Sequence, residues 1–522
     1  MKRLVISLLL PFVFLIGSTS IVFAEPAKYL ALIVIDAMRP DYMELAPTPI
    51  LHKMREEGTY YDGSWVGYVI NNTAPSHASI STGCYPKKHG IVGFRWKDPA
   101  TGKVYDPTEY HKVIKGELSR IASANNVPSI AQAVKAGGPA AIAVVSGGHK
   151  PYAAGPLALN SANYTVLLGG GGRNIDLGLP GPPNEKSETT FIQGQRPPDE
   201  TLIKIRALKT RSDEWSIDAA TIMLKNHKPR VLLINLPQVD GTGHSCGGII
   251  SPGAMRPTVE RADRVIGRLI EDYKKLGIYD NTVFVVVGDH GMIPDVSPVS
   301  SKVMKDAIKK AGTEFLSSAG TGPIWIVDSS KAKDVAEAVM ATKPEACSGG
   351  YYKIKLAEGK YEYRPAPTTE KTIDPKLDKT YRYLLSTAAC ANGPDLFFCS
   401  AEMSKIPKNF PKKGKHYQIS WGTQHIPIIM AGPGVKKGFV SKSPARLVDL
   451  APTVLALVGI EPKGMDGIVL ADALLSSTKE QQDAQNEINK FLAPLRNALQ
   501  EQPKYDPTEK DPREYSSGGT ED

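Results

Sequence analysis

Four short runs of unbroken apolar residues punctuate the chain, and each lies against a polar residue of reactive type. Tyr29 to Ile35 is followed by Asp36, Val231 to Leu236 by Asp240, and Thr282 to Val287 by Asp289 and His290, while Ile426 to Met430 is preceded by His425. Continuous Ile, Val and Leu predict strands buried on both faces, as in a parallel sheet. Between these runs the period becomes helical. Val259, Ala262, Val265, Ile266, Leu269, Ile270 and Tyr273 share one face, with charges between them. Helices are also predicted from Ser216 to Lys225 and from Leu447 to Leu457. Strands alternating with helices predict an α/β three-layer sandwich around a mostly parallel central sheet. In open sheets of this kind ligands bind beyond the carboxyl ends of the strands, and three of the four polar clusters fall there.

Two stretches break the alternation. Residues 94–210 are rich in Gly and Pro, including Gly169-Gly170-Gly171-Gly172 and Pro180-Gly181-Pro182-Pro183, and residues 293–420 are mixed. Both are expected to be insertions that decorate the sheet and form a cap. The glycine run lacks the lysine and hydroxyl residue of a phosphate-binding P-loop and reads as a flexible loop. The charged tail 500–522, with few large apolar residues, is expected to be disordered.

At the other end, Lys2 and Arg3 precede an apolar run from Leu4 to Ile16, and Val22-Phe23-Ala24 places small residues at −3 and −1 of a cut after Ala24. This is the pattern of a secretory signal peptide over residues 1–24, and its bacterial look implies a periplasmic or secreted protein. An uncleaved anchor is the alternative, but the stretch is short for a span. No later run is long enough to cross a bilayer. Formal net charge is +9, or +7 once Lys2 and Arg3 are removed. That excess suits an anionic substrate or a solvated surface, and no basic tract is dense enough to argue for nucleic acid. Five cysteines are too few for a disulfide scaffold. Cys390 and Cys399 are close in sequence and are expected to pair. Nothing in the sequence bears on oligomeric state.

The polar clusters bring three carboxylates and three imidazoles: Asp36; Asp240 and His244, four apart; Asp289 and His290 between Gly288 and Gly291; and His425. Mixed oxygen and nitrogen donors suit zinc, or another divalent transition metal, better than calcium. The flanking glycines let backbone and side chains crowd a small site. His149, His227 and His416 match no ligand spacing and are assigned structural roles. The fragment Asn71-Asn72-Thr73-Ala74-Pro75-Ser76-His77 opens a predicted helix. A hydroxyl at a helix N-terminus can meet a phosphate held by backbone N–H groups. Thr73 read without the other clusters is an N-cap, with Pro75 early in the helix.

Taken together the pattern resembles the alkaline phosphatase superfamily, and most of all its type I phosphodiesterase and nucleotide pyrophosphatase branch. The resemblance rests on Ile35-Asp36-Ala37-Met38-Arg39-Pro40-Asp41, on Thr73 to Gly83 continuing into Tyr85-Pro86-Lys87-Lys88-His89-Gly90-Ile91, on Asp240-x-x-Gly-His244, on Gly288-Asp289-His290-Gly291-Met292, and on His425 leading into Ala431-Gly432-Pro433-Gly434. It implies one catalytic domain over residues 25–499 and two divalent metal ions, most simply Zn2+. Asp36, Thr73, Asp289 and His290 would hold one ion, and Asp240, His244 and His425 the other. Thr73 would be the nucleophile and pass through a phosphothreonine intermediate. The substrate class implied is a small-molecule phosphate ester or nucleotide.

Departures from the family pattern bear on specificity. In the nucleotide pyrophosphatase branch an Asn three residues after the nucleophile binds a phosphate oxygen, and here that position is Ser76. The chain is also similar to threonine-using bacterial alkaline phosphatases, but Phe94 stands where those have an Asn. Lys150 and Tyr152 fall near their monoester-gripping Lys and Arg. Ser76 and Lys150 are therefore the candidate substrate contacts. A missing monoester clamp favours diesters. A phosphomonoesterase on the same site, a phosphotransferase and a non-catalytic metal-binding protein are the competing readings. A sulfatase lacks support, since no Cys or Ser stands at the nucleophile position in a Cys-x-Pro-x-Arg context.

Overall fold

The computed structural model describes residues 25–502, apart from 137–141, 147–150, 161–163, 171–186, most of 192–211, 319–321 and 401–412. The signal-peptide assignment, Lys150 and the tail beyond 502 lie outside the described residues.

A nine-stranded sheet forms the centre. Its order runs Phe439–Ser441, Gly58–Tyr61, Ile428–Ala431, Thr282–Gly288, Tyr29–Ile35, Val231–Leu236, Ile142–Ser146, Tyr164–Gly170 and Ser187–Phe191. The middle strands pair in parallel, while Ile428–Ala431 and Ser187–Phe191 run antiparallel to their neighbours. The unbroken apolar runs follow from this position, because successive residues feed two different cores. Leu30, Leu32 and Val34 join one core, which also takes Ala74, Ala78 and Ile80. Ala31, Ile33 and Ile35 join the other, with Val259, Ala262, Val265, Ile266 and Leu269 from the long helix Pro252–Lys275. Val283, Val285 and Val287 divide from Phe284 and Val286 in the same way. The sheet is thus covered on both faces, which makes the three-layer sandwich that the sequence predicts. The helices Ser212–His227 and Leu450–Leu457 also form.

The two expected insertions differ. Residues 293–420 do build a separate five-stranded sheet, in the order Phe315–Ser318, Pro323–Ile326, Leu396–Ser400, Cys347–Ala357 and Lys360–Pro365. It packs its own apolar cluster, including Ile326, Val335, Val339 and Phe398. Residues 94–210 are more than decoration. They contribute Ile142–Ser146, Tyr164–Gly170 and Ser187–Phe191 to the central sheet. The Gly- and Pro-rich connections hid these short strands from a composition reading.

All five cysteines are free, so the expected Cys390–Cys399 pairing is corrected. Cys399 is buried within a strand, while the Cys390 thiol bonds to Asn392 Oδ1 at 3.1 Å. Closeness in sequence does not bring two side chains together when one is fixed by a sheet. Among the described residues no helix is long and apolar enough to cross a membrane.

Candidate active site

Three central strands end level with one another. Ile35 lies opposite Leu236 on one side and Gly288 on the other. The residues just past these strands therefore emerge at the same edge of the sheet: Asp36, the helix Gln238–Cys246 carrying Asp240 and His244, and Asp289-His290. Asp36 N–H bonds to Leu236 O at 3.0 Å. Ala37 then takes a φ of +61°, which turns its N–H onto Asp289 Oδ1 at 2.9 Å. Non-glycine residues adopt this conformation rarely, and it clusters at functional sites. The glycines beside Asp289 and His290 are there because backbone passes too close for a side chain. A Cβ at Gly288 would lie 2.4 Å from Met38 O, and one at Gly291 would lie 2.1 Å from Gly422 O.

The helix Thr73–Thr82 brings the nucleophile candidate. Asn72 holds the N-cap position without a side-chain cap, so Thr73 is the first helical residue and not the cap. Thr73 Oγ1 lies 3.5 Å from His290 Nε2. His77, one turn further on, sets its Nδ1 2.7 Å from Thr73 O and 3.4 Å from Asp289 Oδ2. Its Nε2 lies 3.1 Å from Asn235 Nδ2, the one polar side chain of the Val231–Leu236 strand.

Three imidazoles face inward in one common manner. His290 Nδ1 lies 3.0 Å from Gly291 O, His244 Nδ1 2.8 Å from Gly414 O, and His416 Nδ1 3.3 Å from Asn71 O. A carbonyl only accepts, so each Nδ1 carries the proton and each Nε2 presents a lone pair, which is how metal-binding histidines are oriented. His290 Nε2 lies 3.5 Å from Asp36 Oδ1 and 3.4 Å from Asp289 Oδ2. His244 Nε2 lies 3.3 Å from Asp240 Oδ1 and 3.2 Å from His416 Nε2. Two sets of donor atoms converge within 4.8 Å of one another: Asp240, His244 and His416, and Asp36, Asp240 and His290. All but His244 are buried.

These donors fit divalent metal. Asp36, Asp240 and Asp289 are buried carboxylates in one small space, and such charges require compensation there. Two nitrogens bound tetrahedrally to one zinc at about 2.0–2.1 Å stand roughly 3.4 Å apart, close to the 3.2 Å between the His244 and His416 nitrogens.

One predicted ligand is misplaced. His425 stacks on Trp421 with centroids 4.3 Å apart, and its Nε2 meets Asp62 O at 3.0 Å. It belongs to neither convergent donor set, and burial lowers its pKa to about 4. His416, given a structural role from sequence, stands in the site instead. The two histidines are nine residues apart on the segment entering the Ile428–Ala431 strand, and only the path of that segment decides which faces the carboxylates. Sequence reasoning also missed His77 and Asn235; a lone Asn inside an apolar strand was the available signal. Ser76 is buried in the first helical turn, its N–H closing on Asn72 O at 2.9 Å. His227 sits in the last turn of Ser212–His227, and His149 and Lys150 lie outside the described residues.

Phe94 reaches this arrangement through Tyr417. Its ring meets Tyr417 edge to face at 6.4 Å, and Tyr417 lies 4.0 Å from the His416 ring.

An α/β sandwich with clustered carboxylates and imidazoles beyond its strand ends, beside a threonine at a helix N-terminus, defines the alkaline phosphatase class of fold. The model of the type I phosphodiesterase / nucleotide pyrophosphatase family matches residues 30–381, and the chain belongs to that family. Among curated relatives, an uncharacterised pyrophosphatase/phosphodiesterase of Schizosaccharomyces pombe is 29% identical over 276 residues, 50% of this chain and 44% of that protein. Ectonucleotide pyrophosphatase/phosphodiesterase family member 1 of Mus musculus is 24% identical over 265 residues, 49% of this chain and 23% of that protein. The chain thus spans less than half the length of these two relatives. Among solved structures, wild-type alkaline phosphatase PafA superposes with a TM-score of 0.64 at 16% identity, covering 87% of this chain and 100% of that one. Human ectonucleotide pyrophosphatase/phosphodiesterase 5 gives 0.57 at 18% identity, covering 86% and 100%. At these identities the likeness shows the fold.

Proposed function

We propose that this chain is an exported two-metal phosphohydrolase that cleaves phosphodiesters or nucleotide pyrophosphates through a phosphothreonine on Thr73. The observation that carries the reading is the convergence of Asp36, Asp240, His244, His290 and His416 beside the Thr73 hydroxyl. Asp36, Thr73, Asp289 and His290 would hold one zinc, and Asp240, His244 and His416 the other. Bound there, divalent ions lower the pKa of a coordinated hydroxyl and offset charge on the attacking and leaving oxygens.

The chain's own residues divide the remaining work. Thr73 Oγ1 attacks phosphorus; its bond to phosphorus forms while the bond to the leaving oxygen breaks. The Thr73 and Ala74 amides are the candidate donors to a non-bridging oxygen, because Pro75 has no N–H and the Ser76 N–H is used by Asn72 O. His77 supports the nucleophile from behind, through Thr73 O and Asp289. Water then cleaves the phosphothreonine and restores the Thr73 hydroxyl. Phe94 favours the diester reading, because it stands where the similar monoesterases carry an Asn donor, and its ring packs on Tyr417 beside His416. A related murine ectonucleotide pyrophosphatase/phosphodiesterase 5 has been solved as an inactive threonine-to-alanine variant with AMP, which supports a nucleotide among the substrates.

The test is hydrolysis of bis-p-nitrophenyl phosphate and p-nitrophenyl phosphate by the zinc-loaded protein, with Thr73→Ala as control. Faster diester turnover, lost in the control, is the expected result. Faster monoester turnover would move the assignment to a phosphomonoesterase. Two bound zinc ions without turnover of either ester would sink the hydrolase reading.

A further inference from the structure

Other rings flank the His416 imidazole. One face of its ring lies against His290, with centroids 3.8 Å apart and planes at 19°. Tyr417 lies 4.0 Å away with planes at 31°. In extended chain successive side chains point to opposite sides, so neighbours 416 and 417 meet ring to ring only if the backbone is turned. It is turned: Tyr417 has a φ of +83°. A bulky side chain is strained in that conformation, which persists where the surroundings enforce it. Here they do. Backbone just before the strand Pro323–Ile326 passes close by, since a Cβ on Gly322 would lie 3.0 Å from Tyr417 O. On the ring side Phe94 meets Tyr417 edge to face.

We propose that Tyr417 is a positioning residue. Its left-handed backbone and its ring hold the His416 imidazole with Nε2 toward Asp240 and His244, so that the donor set is complete before an ion arrives. This rests on the two-metal reading above. His416 without Tyr417 would keep the bond from Nδ1 to Asn71 O but lose a ring packed beside it, and its imidazole would turn about that bond.

The experiment is zinc titration of the full chain against a chromophoric chelator, for wild type and for Tyr417→Phe, Tyr417→Leu and Tyr417→Ala, with melting temperatures of the metal-free proteins alongside. Wild type and Tyr417→Phe are expected to take up two zinc ions with the same affinities. Tyr417→Leu keeps side-chain bulk without a flat face, and with Tyr417→Ala it should bind one of the two ions about 10–100-fold more weakly, the usual cost of losing a residue that orients a ligand. The other ion should be unaffected. In the cobalt-substituted protein the visible spectrum of the weakened site should change with it. Tyr417→Ala that binds both ions as wild type does would overturn the proposal. So would equal weakening of both ions with a lowered metal-free melting temperature, or a loss in Tyr417→Phe as large as in Tyr417→Ala. Binding and turnover separate the two readings. A wild type that binds two ions and cleaves no ester removes the hydrolase assignment alone, unchanged titrations in active variants remove the role of Tyr417 alone, and a wild type that binds fewer than two removes both.

Discussion

His416 and His244 turn their Nε2 atoms toward each other at 3.2 Å, each with its Nδ1 tied to a backbone carbonyl. Two lone pairs so placed repel unless a cation or proton lies between them, and Asp240 approaches both rings. His416→Ala should therefore cost one zinc ion and at least about 10²-fold in kcat/KM. His425→Ala should keep both ions and most of the activity, with a loss of stability instead. Zinc content by atomic absorption, measured with the kinetics, decides between the two histidines.

Thr73→Ala should lower turnover by about 10³-fold or more, the scale seen when a nucleophile is removed. It should also abolish any acid-stable phosphoryl label on the protein. Thr73→Ser keeps the hydroxyl and should keep both label and turnover. A label that survives Thr73→Ala would place the nucleophile elsewhere.

Chelation should destabilise the fold as well as silence it. Without counter-charge, the buried carboxylates of Asp36, Asp240 and Asp289 repel one another. Restoring zinc to 100 times a site's dissociation constant should add about 2.7 kcal/mol per site. A melting temperature that is the same with EDTA and with zinc would contradict this.

Arg446 tests a buried pair outside the proposed donor set. It donates to both oxygens of Asp449, at 3.0 Å from Nε and 2.7 Å from Nη2, and to the Tyr85 hydroxyl. Asp449 also accepts the Ile468 N–H at 2.9 Å, so one carboxylate ties two chain segments. Arg446→Met strands that carboxylate and should cost about 3–5 kcal/mol. Arg446→Met with Asp449→Leu should recover part of the loss in denaturant titration.

His89 sets an acid limit on stability. Its Nδ1 accepts the Ile91 N–H at 3.1 Å, and Nε2 lies 3.2 Å from Ser79 Oγ, an arrangement only the neutral ring can make. Burial lowers its pKa to about 3. The folded value lies below the unfolded one, so the native state resists protonation that the unfolded chain accepts. The contribution is complete above about pH 6.5 and drains away as pH falls toward 3, by up to about 1.4 kcal/mol per pH unit. His89→Gln should flatten that part of the stability-against-pH curve, measured by urea unfolding.

The sequence by itself determined the central strands, because residues buried on both faces must be apolar throughout. Tyr29–Ile35 and Val231–Leu236 appear in the structure with the bounds the pattern gives. It also marked Asp36, Asp240, His244, Asp289 and His290 as candidates, since each comes directly after a strand or on the short helix that follows one, and strand ends in such sheets lie together. Chain path was decided only in three dimensions. His416 and His425 look alike in sequence, yet a backbone turn at Tyr417 with Gly322 packed beside it brings one ring to Asp240, while Trp421 and Asp62 hold the other away. The cysteines obey the same logic, as does the segment 94–210, whose strands become visible only once they pair. Local pattern records what a residue is buried against on average; which two distant side chains meet depends on contacts that no short stretch of sequence contains.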